Sequence, residues 1–332
     1  MRIGLIGCGG LAIEHVSSLR GCPDIEIVLA DIGQNLARAF GEKEGLDWAE
    51  SPVEMFADPT IAAVDLCVPI AARAPLIRRA LAAEKDFICE DALCETAAEA
   101  RELRDLAESN GRIAMTGCRH RHAPAFQKAR SALADARETG ISPAIGKLTI
   151  AMMRIGGRPS AEALQHCRGA DRGGLIEMLA HLLDLAVWYF GPIEHAKLML
   201  REALRPRRML DGDLASRDAQ DFAIVRCRTR TGLPIVMQAD LLAPCFSQMV
   251  EVQGDNGAIM VSAQADMPQF VFAVSGANGY RAGRTDLSRG RGDFCSAQMA
   301  AFVAAARDRR PDQQNGLADS VHVAEAIEML MD

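Results

Sequence analysis

The chain of 332 residues carries no excess of positive charge: 37 Lys and Arg stand against 44 Asp and Glu, a net of −7. That balance argues against a general nucleic-acid binder, because such proteins need cations to neutralise phosphates. Two local arginine clusters (Arg205, Arg207, Arg208; Arg307, Arg309, Arg310) read as solvated surface. No stretch approaches the ~20 apolar residues of a membrane span, so no membrane partner is expected. The first strand is expected to begin at Arg2, which leaves no room for a signal peptide. Ten cysteines are scattered without a CxxC pair. That spacing argues against a zinc site or a disulfide framework and for a reducing cytoplasm, with most thiols acting as small core hydrophobes. Internal repeats and low-complexity tracts are lacking too.

What is present is a chain too long for one ordinary core, so two domains are expected. The first, residues 1–120, alternates short apolar runs with helical stretches. Strands are predicted at Arg2–Ile6, Ile25–Ala30, Ala63–Val68, Asp86–Glu90 and Arg112–Thr116, with helices at Leu11–Leu19, Asn35–Glu44, Ala72–Ala83 and Ala97–Ser109 and a helical turn near Val53–Phe56. This alternation predicts an α/β fold with a doubly wound parallel sheet. The second domain, residues 121–332, opens with a helix over Pro124–Thr139. Strands follow at Lys147–Ile155, His195–Leu200, Asp221–Thr229, Pro234–Leu241, Met249–Gln253, Ala258–Val261 and Phe270–Val274. Short turns between them predict a mostly antiparallel sheet. Residues 276–292 read as a Gly- and Arg-rich loop. Helices near Phe294–Arg307 and Leu317–Met331 close the chain, and packing of these back on the first domain is left open.

After the first strand comes Gly7-Cys8-Gly9-Gly10-Leu11-Ala12, a GxGxxA fingerprint. Gly7 permits a tight turn, Gly9 lets backbone approach a pyrophosphate, and Ala12 is small enough for helix to pack on strand. The helix start offers free N–H groups to phosphates. The second strand ends in Asp31, placed to accept hydrogen bonds from a ribose 2′-hydroxyl and to repel a 2′-phosphate. Ile32, Gly33 and Gln34 follow without an arginine, which favours NAD over NADP.

A second signal is the segment GLIEMLAHLLDLAVWYFG. Glu177, His181 and Asp184 stand at i, i+4 and i+7, one stripe of an otherwise apolar helix. Buried ionisable groups are costly unless paired or facing a polar cavity, so the stripe reads either as the wall of a site or as a packing network. Arg119-His120-Arg121-His122 lies at a carboxyl edge, where ligands bind in such sheets. Two arginines there would grip a carboxylate or phosphate, or else form a salt-bridge cluster. Arg73 would add to that positive lining. His15 reads as packing, and Met152, Met153, Met237, Met249 and Met260 read as core or as a buried dimer face.

The whole length resembles the glucose-fructose oxidoreductase/inositol dehydrogenase/rhizopine-catabolism family (Gfo/Idh/MocA). RIGLIGCGGLAIEHVSSL is similar to that family's start, and FICEDALCETAAEARELRDLAESNG to its Glu-Lys-Pro segment. DRGGLIEMLAHLLDLAVWYFG resembles its GGG-x-x-x-D-x-x-x-H-x-x-D helix, with Glu177 for the Asp, and AAFVAAARDRRPDQQNGLADSVHVAEAIEML its closing helices. The resemblance implies a Rossmann domain, then an α/β domain with an open antiparallel sheet that joins subunits into a homodimer or homotetramer. It also implies NAD(P)-dependent dehydrogenase or reductase chemistry on sugars and cyclitols, without a metal. His181 matches the acid/base that moves the hydroxyl proton, with Glu177 as its orienter and Asp184 as a substrate or loop contact. Pro69, Arg73 and Glu90 fall in cofactor-lining segments. Arg119 and Arg121 are candidate substrate contacts from their own position at the sheet's carboxyl edge, with the salt-bridge cluster as the alternative.

The chain departs from that pattern at two places. The lysine motif reads Glu90-Asp91-Ala92, and a segment resembling T-P-N-x-x-H-A-P reads Val68-Pro69-Ile70-Ala71-Ala72-Arg73-Ala74-Pro75. An ionised aspartate cannot stabilise a developing alkoxide. Asp91 is therefore a counter-ion to an amine, imine or amino sugar, or a protonated acid raised by Glu90, Glu177 or burial, or the mark of a chain that binds NAD(H) without ordinary turnover. The favoured expectation is hydride transfer to or from a small polar carbon centre. The alternatives are a silent NAD(H)-binding sensor or assembly subunit, and a non-redox enzyme that uses NAD transiently.

Overall fold

The computed structural model describes all residues except 158–173, 205–208, 211–212, 215–219, 265, 288–292, 313 and 332. The chain divides into two compact units, one of Met1–Arg119 with Asp293–Ala324 and one of His120–Gly292 with Glu325–Asp332.

The first unit is built on six parallel strands: β1 (Arg2–Ile6), β2 (Glu26–Ala30), β3 (Asp47–Trp48), β4 (Ile61–Leu66), β5 (Asp86–Glu90) and β6 (Ala114–Gly117). Their spatial order is β3-β2-β1-β4-β5-β6, so the chain reverses its direction of travel between β1 and β4. Strands buried on both faces become continuous apolar runs, and β1 and β2 are apolar almost throughout. Ile3 and Leu5 point to one face, where they meet Val16 and Leu19 of the helix Gly10–Arg20 and Met299 and Phe302 of the helix Phe294–Asp308. Ile6, Val64 and Leu66 point to the other, against Ile77 and Leu81 of the helix Ile70–Ala82, Leu103 of the helix Ala97–Ser109, and Val321. Helices thus cover both faces, and the carboxyl edge at the switch point is left to bind a ligand. The edge strand β3 is too short to show a periodicity, which is why the sequence counts five strands here and the structure six.

The second unit carries a nine-stranded sheet. Its strands are β7 (Ile141–Ser142), β8 (Gly146–Gly156), β9 (Ile193–Glu202), β12 (Phe222–Thr229), β13 (Pro234–Asp240), β14 (Ser247–Gly254), β15 (Gly257–Ser262), β16 (Phe270–Ala273) and β17 (Gly283–Asp286); β10 (Met209–Leu210) and β11 (Asp213–Leu214) pair separately. The order is β17-β16-β15-β14-β8-β13-β12-β9, with β7 beside β8. Every neighbouring pair is antiparallel except β8 with β13. The helix Gly174–Phe190 packs across β8, β12 and β13 on one face of this sheet.

Two expectations need correction. The segment Pro124–Thr139 is two helices, Pro124–Ala132 and Ala136–Thr139, because the break lets Leu133 and Ala136 both be fully buried. The loop 276–292 contains β17, an edge strand that alternates half-exposed and exposed positions and so hides the apolar signal of a strand. Arg284 there lies 4.6 Å over the Phe270 ring of its neighbour.

Candidate active site

The glycine turn connects β1 to the helix Gly10–Arg20. Gly7 has φ of 101°, a conformation side chains resist, and a Cβ on it would stand 2.3 Å from the Cys67 carbonyl oxygen. A Cβ on Gly9 would meet nothing within 4 Å, so the space before the helix is open. The helix has no side-chain cap and no acid in its first turn. Its leading N–H groups and positive end are therefore available to an anion. Cys8, Gly10 and Leu11 are half-buried or exposed around this turn, and Ala12 is fully buried against the sheet.

Asp31 stands just past β2. Its Oδ2 accepts the Cys8 N–H at 2.8 Å and its Oδ1 accepts the Gly33 N–H at 2.8 Å. Each oxygen keeps a further lone pair for a ribose hydroxyl. The same carboxylate, together with burial, pushes the Cys8 thiol up to about 12. Ile32, one of the residues that follow it in place of an arginine, is 96% exposed beside it. A donor-rich glycine turn, an uncapped helix start and a part-exposed carboxylate fit a dinucleotide with a free 2′-hydroxyl.

Glu90 closes β5 and is buried, with its carboxylate 3.1 Å from His15 Nε2 and 3.4 Å from Gln298 Nε2. Asp91 follows, also buried, and the Asp91–Ala92 peptide is cis. Arg73 is 6% exposed and donates to the carbonyl oxygens of Val68 (3.0 Å), Glu90 (2.8 Å) and Ala92. Its guanidinium thus ties the loop after β4 to the loop after β5. Pro69 is exposed at the head of the helix Ile70–Ala82. Arg119 donates to Glu14 at 2.6 Å; burial works against its charge, and the Glu90 and Glu14 carboxylates outweigh it.

The turn Arg119–His122, which leads into the second unit, delivers two buried side chains there, His120 and Arg121. Arg121 is 1% exposed and forms a two-pronged pair with Asp184, Nε donating to Oδ2 at 2.9 Å and Nη2 to Oδ1. Its guanidinium also lies 5.6 Å from the Trp188 ring centroid. Both members of the stripe-to-turn pair are therefore engaged with each other. His181 is half-buried, although Leu182 and Leu183 beside it are fully buried. Its ring meets that of His120 edge-on at 6.4 Å, and His120 in turn stacks on Phe246 at 6.1 Å. The side chain of Glu177 lies outside the described residues, so its expected orienting role falls there too.

Comparison with known proteins now adds to this geometry. The model described as "Oxidoreductase family, NAD-binding Rossmann fold" matches residues 1–118, and that of the GFO/IDH/MocA C-terminal domain matches residues 126–260. The chain belongs to the Gfo/Idh/MocA family of NAD-binding oxidoreductases. Among curated members, the myo-inositol 2-dehydrogenase of Thermotoga maritima is 24% identical over 95% of this chain and 91% of its own length. A dTDP-3,4-didehydro-2,6-dideoxy-α-D-glucose 3-reductase of Streptomyces violaceoruber is 29% identical over 62% of this chain and 56% of its own. Among solved structures, levoglucosan dehydrogenase with NADH and L-sorbose superposes with a TM-score of 0.83 at 19% identity, over 100% of this chain and 95% of that one. GenD2 of gentamicin A biosynthesis, in complex with NAD, gives 0.79 at 21% identity, over 100% and 93%. This family member shares their two-domain fold. Among its described residues no helix is long and apolar enough to cross a membrane.

One participant escaped the sequence reading. His15 reads there as packing, yet it bridges two carboxylates of the cofactor domain. Its signal is tertiary: the partners Asp65 and Glu90 lie 50 and 75 residues away.

Proposed function

We propose that this oxidoreductase is an NAD-dependent dehydrogenase or reductase of a small polar substrate, a sugar- or cyclitol-like alcohol or an amine/imine, with His181 as proton shuttle. The observation that carries the reading is the half-exposed imidazole of His181 on a helix whose neighbouring positions are buried. An imidazole in reach of solvent can exchange a proton near neutral pH, whereas one enclosed by hydrocarbon cannot. Bound NAD supplies the hydride acceptor or donor. In the oxidation direction His181 takes the proton of the substrate hydroxyl while the carbon gives up its hydride; in reduction both return.

The remaining roles follow from the residues around it. Asp31 holds the adenosine ribose and selects NAD over NADP, with Ile32 as apolar support. The Gly7–Ala12 turn holds the pyrophosphate, and Pro69 and Glu90 line the cofactor end. Asp91 contacts the substrate where the family's pattern has lysine, and a substrate amine would satisfy its charge. Glu177 orients His181 and Arg119 meets an anionic substrate group. Arg121 and Asp184 stabilise the helix that bears His181, since their charges already neutralise each other. The protein works in the cytoplasm, which suits the nine described cysteines, none of them in a disulfide. It assembles as a homodimer or homotetramer through the open face of the nine-stranded sheet. The curated relatives named as inositol dehydrogenases lend weight to a cyclitol-like substrate.

The test is a screen of cyclitols, amino sugars and imino acids with NAD⁺ and NADH, followed by absorbance of the reduced nicotinamide. Turnover that disappears in His181→Ala is the expected result. Tight NADH binding without turnover of any panel member would overturn it in favour of a silent cofactor-binding homologue, the second reading that Asp91 keeps open.

A further inference from the structure

Inside the cofactor domain lies a charged cluster that the proposed reaction leaves unused. His15, on the helix that follows the glycine turn, is 0% exposed. Its Nδ1 is 2.8 Å from Asp65 Oδ2 on β4, and its Nε2 is 3.1 Å from Glu90 Oε1 on β5. The Cys67 sulfur stands 3.3 Å from Nδ1 and 3.8 Å from Asp65 Oδ1. From the helix Phe294–Asp308, Gln298 faces Glu90 and Cys295 feels the His15 charge. Arg119 feels the charge of Glu90.

We infer that His15 is a buried imidazolium that joins Asp65 to Glu90 and acts as a positioning residue for the NAD site, locking the helix of the glycine turn to the strand that ends in Glu90-Asp91. A neutral imidazole has a single N–H, so one ring nitrogen would turn a lone pair towards a buried carboxylate. Protonated at both nitrogens, the ring donates to both acids and offsets part of their buried charge. Burial lowers the tendency of His15 to hold its proton, but the Asp65 carboxylate reverses this and raises it well above its ordinary value. The thiol of Cys67 is itself pushed up to about 12 by burial and Asp65, so it remains neutral.

The strands explain why this matters for the cofactor. β1, β4 and β5 are adjacent in the sheet, and His15 sits on the helix launched from β1. Its two bonds therefore span the switch point, joining the phosphate-binding element to β4 and to the Glu90 end of β5. Gly117 is glycine for the same reason: a Cβ there would lie 2.7 Å from Glu90 Oε1 and 2.8 Å from Gln298 Nε2. A metal held by His15, Asp65 and Cys67 is the competing use of these atoms. Tetrahedral zinc with bonds near 2.0–2.1 Å would hold its N and O ligands about 3.3 Å apart. The observed 2.8 Å is a hydrogen-bond separation instead.

The test uses the intact chain labelled with ¹⁵N-histidine. Both ring nitrogens of His15 should give imidazolium resonances at pH 7 that persist to pH 8, and added zinc should leave them unmoved. NADH affinity is then measured directly by nicotinamide fluorescence, which needs no turnover and so stands apart from the substrate assignment. His15→Gln should weaken NADH binding by about tenfold, and Glu90→Gln should cost less in that background than alone. A neutral His15 at pH 7, a zinc-shifted ring, or unchanged NADH affinity in folded His15→Gln overturns the inference. Should His15→Gln not fold, the resonances of the unaltered chain and the NADH affinity of Gln298→Met decide instead. The expected loss there is several-fold, and no loss would refute the positioning role.

Discussion

Asp31 has two jobs in the function we propose, and both fall to one carboxylate. Its bonds to the Cys8 and Gly33 N–H groups shape the glycine turn, and its remaining lone pairs are left for the ribose hydroxyl it is proposed to hold. Asp31→Ala should therefore weaken NADH binding by ~10- to 100-fold, the worth of one or two charge-assisted hydrogen bonds. It should also narrow the preference for NADH over NADPH, since the repulsion of a 2′-phosphate goes with the charge; paired fluorescence titrations with the two cofactors check this. Gly7→Ala fails differently. At φ of 101° with a carbonyl oxygen 2.3 Å from the new Cβ, it should lower stability by roughly 1–3 kcal/mol and abolish NADH binding, read from urea melts and titration. Both residues were legible in the sequence, because a strand–turn–helix fingerprint is a local code. His15 was not, since nothing within its own helix announces that carboxylates from two other strands converge on its ring. Arg73 was also hard to read: its charge suggested a positive lining, whereas its Nε and Nη1 donate to three backbone carbonyl oxygens.

Elements are held in place by a few buried charges. The turn Arg119–His122 is fastened to the helix Gly174–Phe190 by Arg121 and Asp184, each almost fully buried. Arg121→Ala should cost about 3–5 kcal/mol, because it strands the Asp184 charge, whereas Arg121→Met combined with Asp184→Leu should recover most of that loss; chemical denaturation of the three variants decides. The helix Gly10–Arg20 is fastened by His15, whose proton is held more firmly folded than unfolded. The sign follows from that direction. The stabilisation is fully present below the ordinary histidine value of about 6.5 and is lost as pH rises through the elevated folded value. The melting temperature of the native chain should accordingly fall on the alkaline side more steeply than that of His15→Gln. Most helices and strands were readable from periodicity, and Asp86–Glu90, Ala97–Ser109 and Leu317–Met331 end at the residues expected. What escaped were short or polar pieces, β3, β7, β10, β11 and β17, whose existence depends on a neighbouring strand rather than on their own composition.

At the scale of the whole molecule, the two faces of the nine-stranded sheet differ. One is covered by the helix Gly174–Phe190; the other carries Met152, Val236, Leu200 and Phe272, which are 38–42% exposed. Residues directly opposite one another share a face, and the registers Val236↔Met152, Met152↔Glu251, Glu251↔Met260 and Met260↔Phe270 run this face across five strands. A mostly apolar strip of this breadth is what a monomer rarely leaves to water. A second copy of the chain is the occupant that suits it, because a twofold axis through the centre of the strip pairs apolar with apolar. About 800 Å² on each partner would give a stable dimer. Light scattering after size exclusion should therefore report a dimer or tetramer at micromolar concentration. Val236→Lys together with Met152→Glu should shift it towards monomer without lowering NADH affinity, since both side chains belong to the second unit and the glycine turn to the first. A native chain that runs as a monomer across that range, or a double variant that stays assembled, would assign this face another partner.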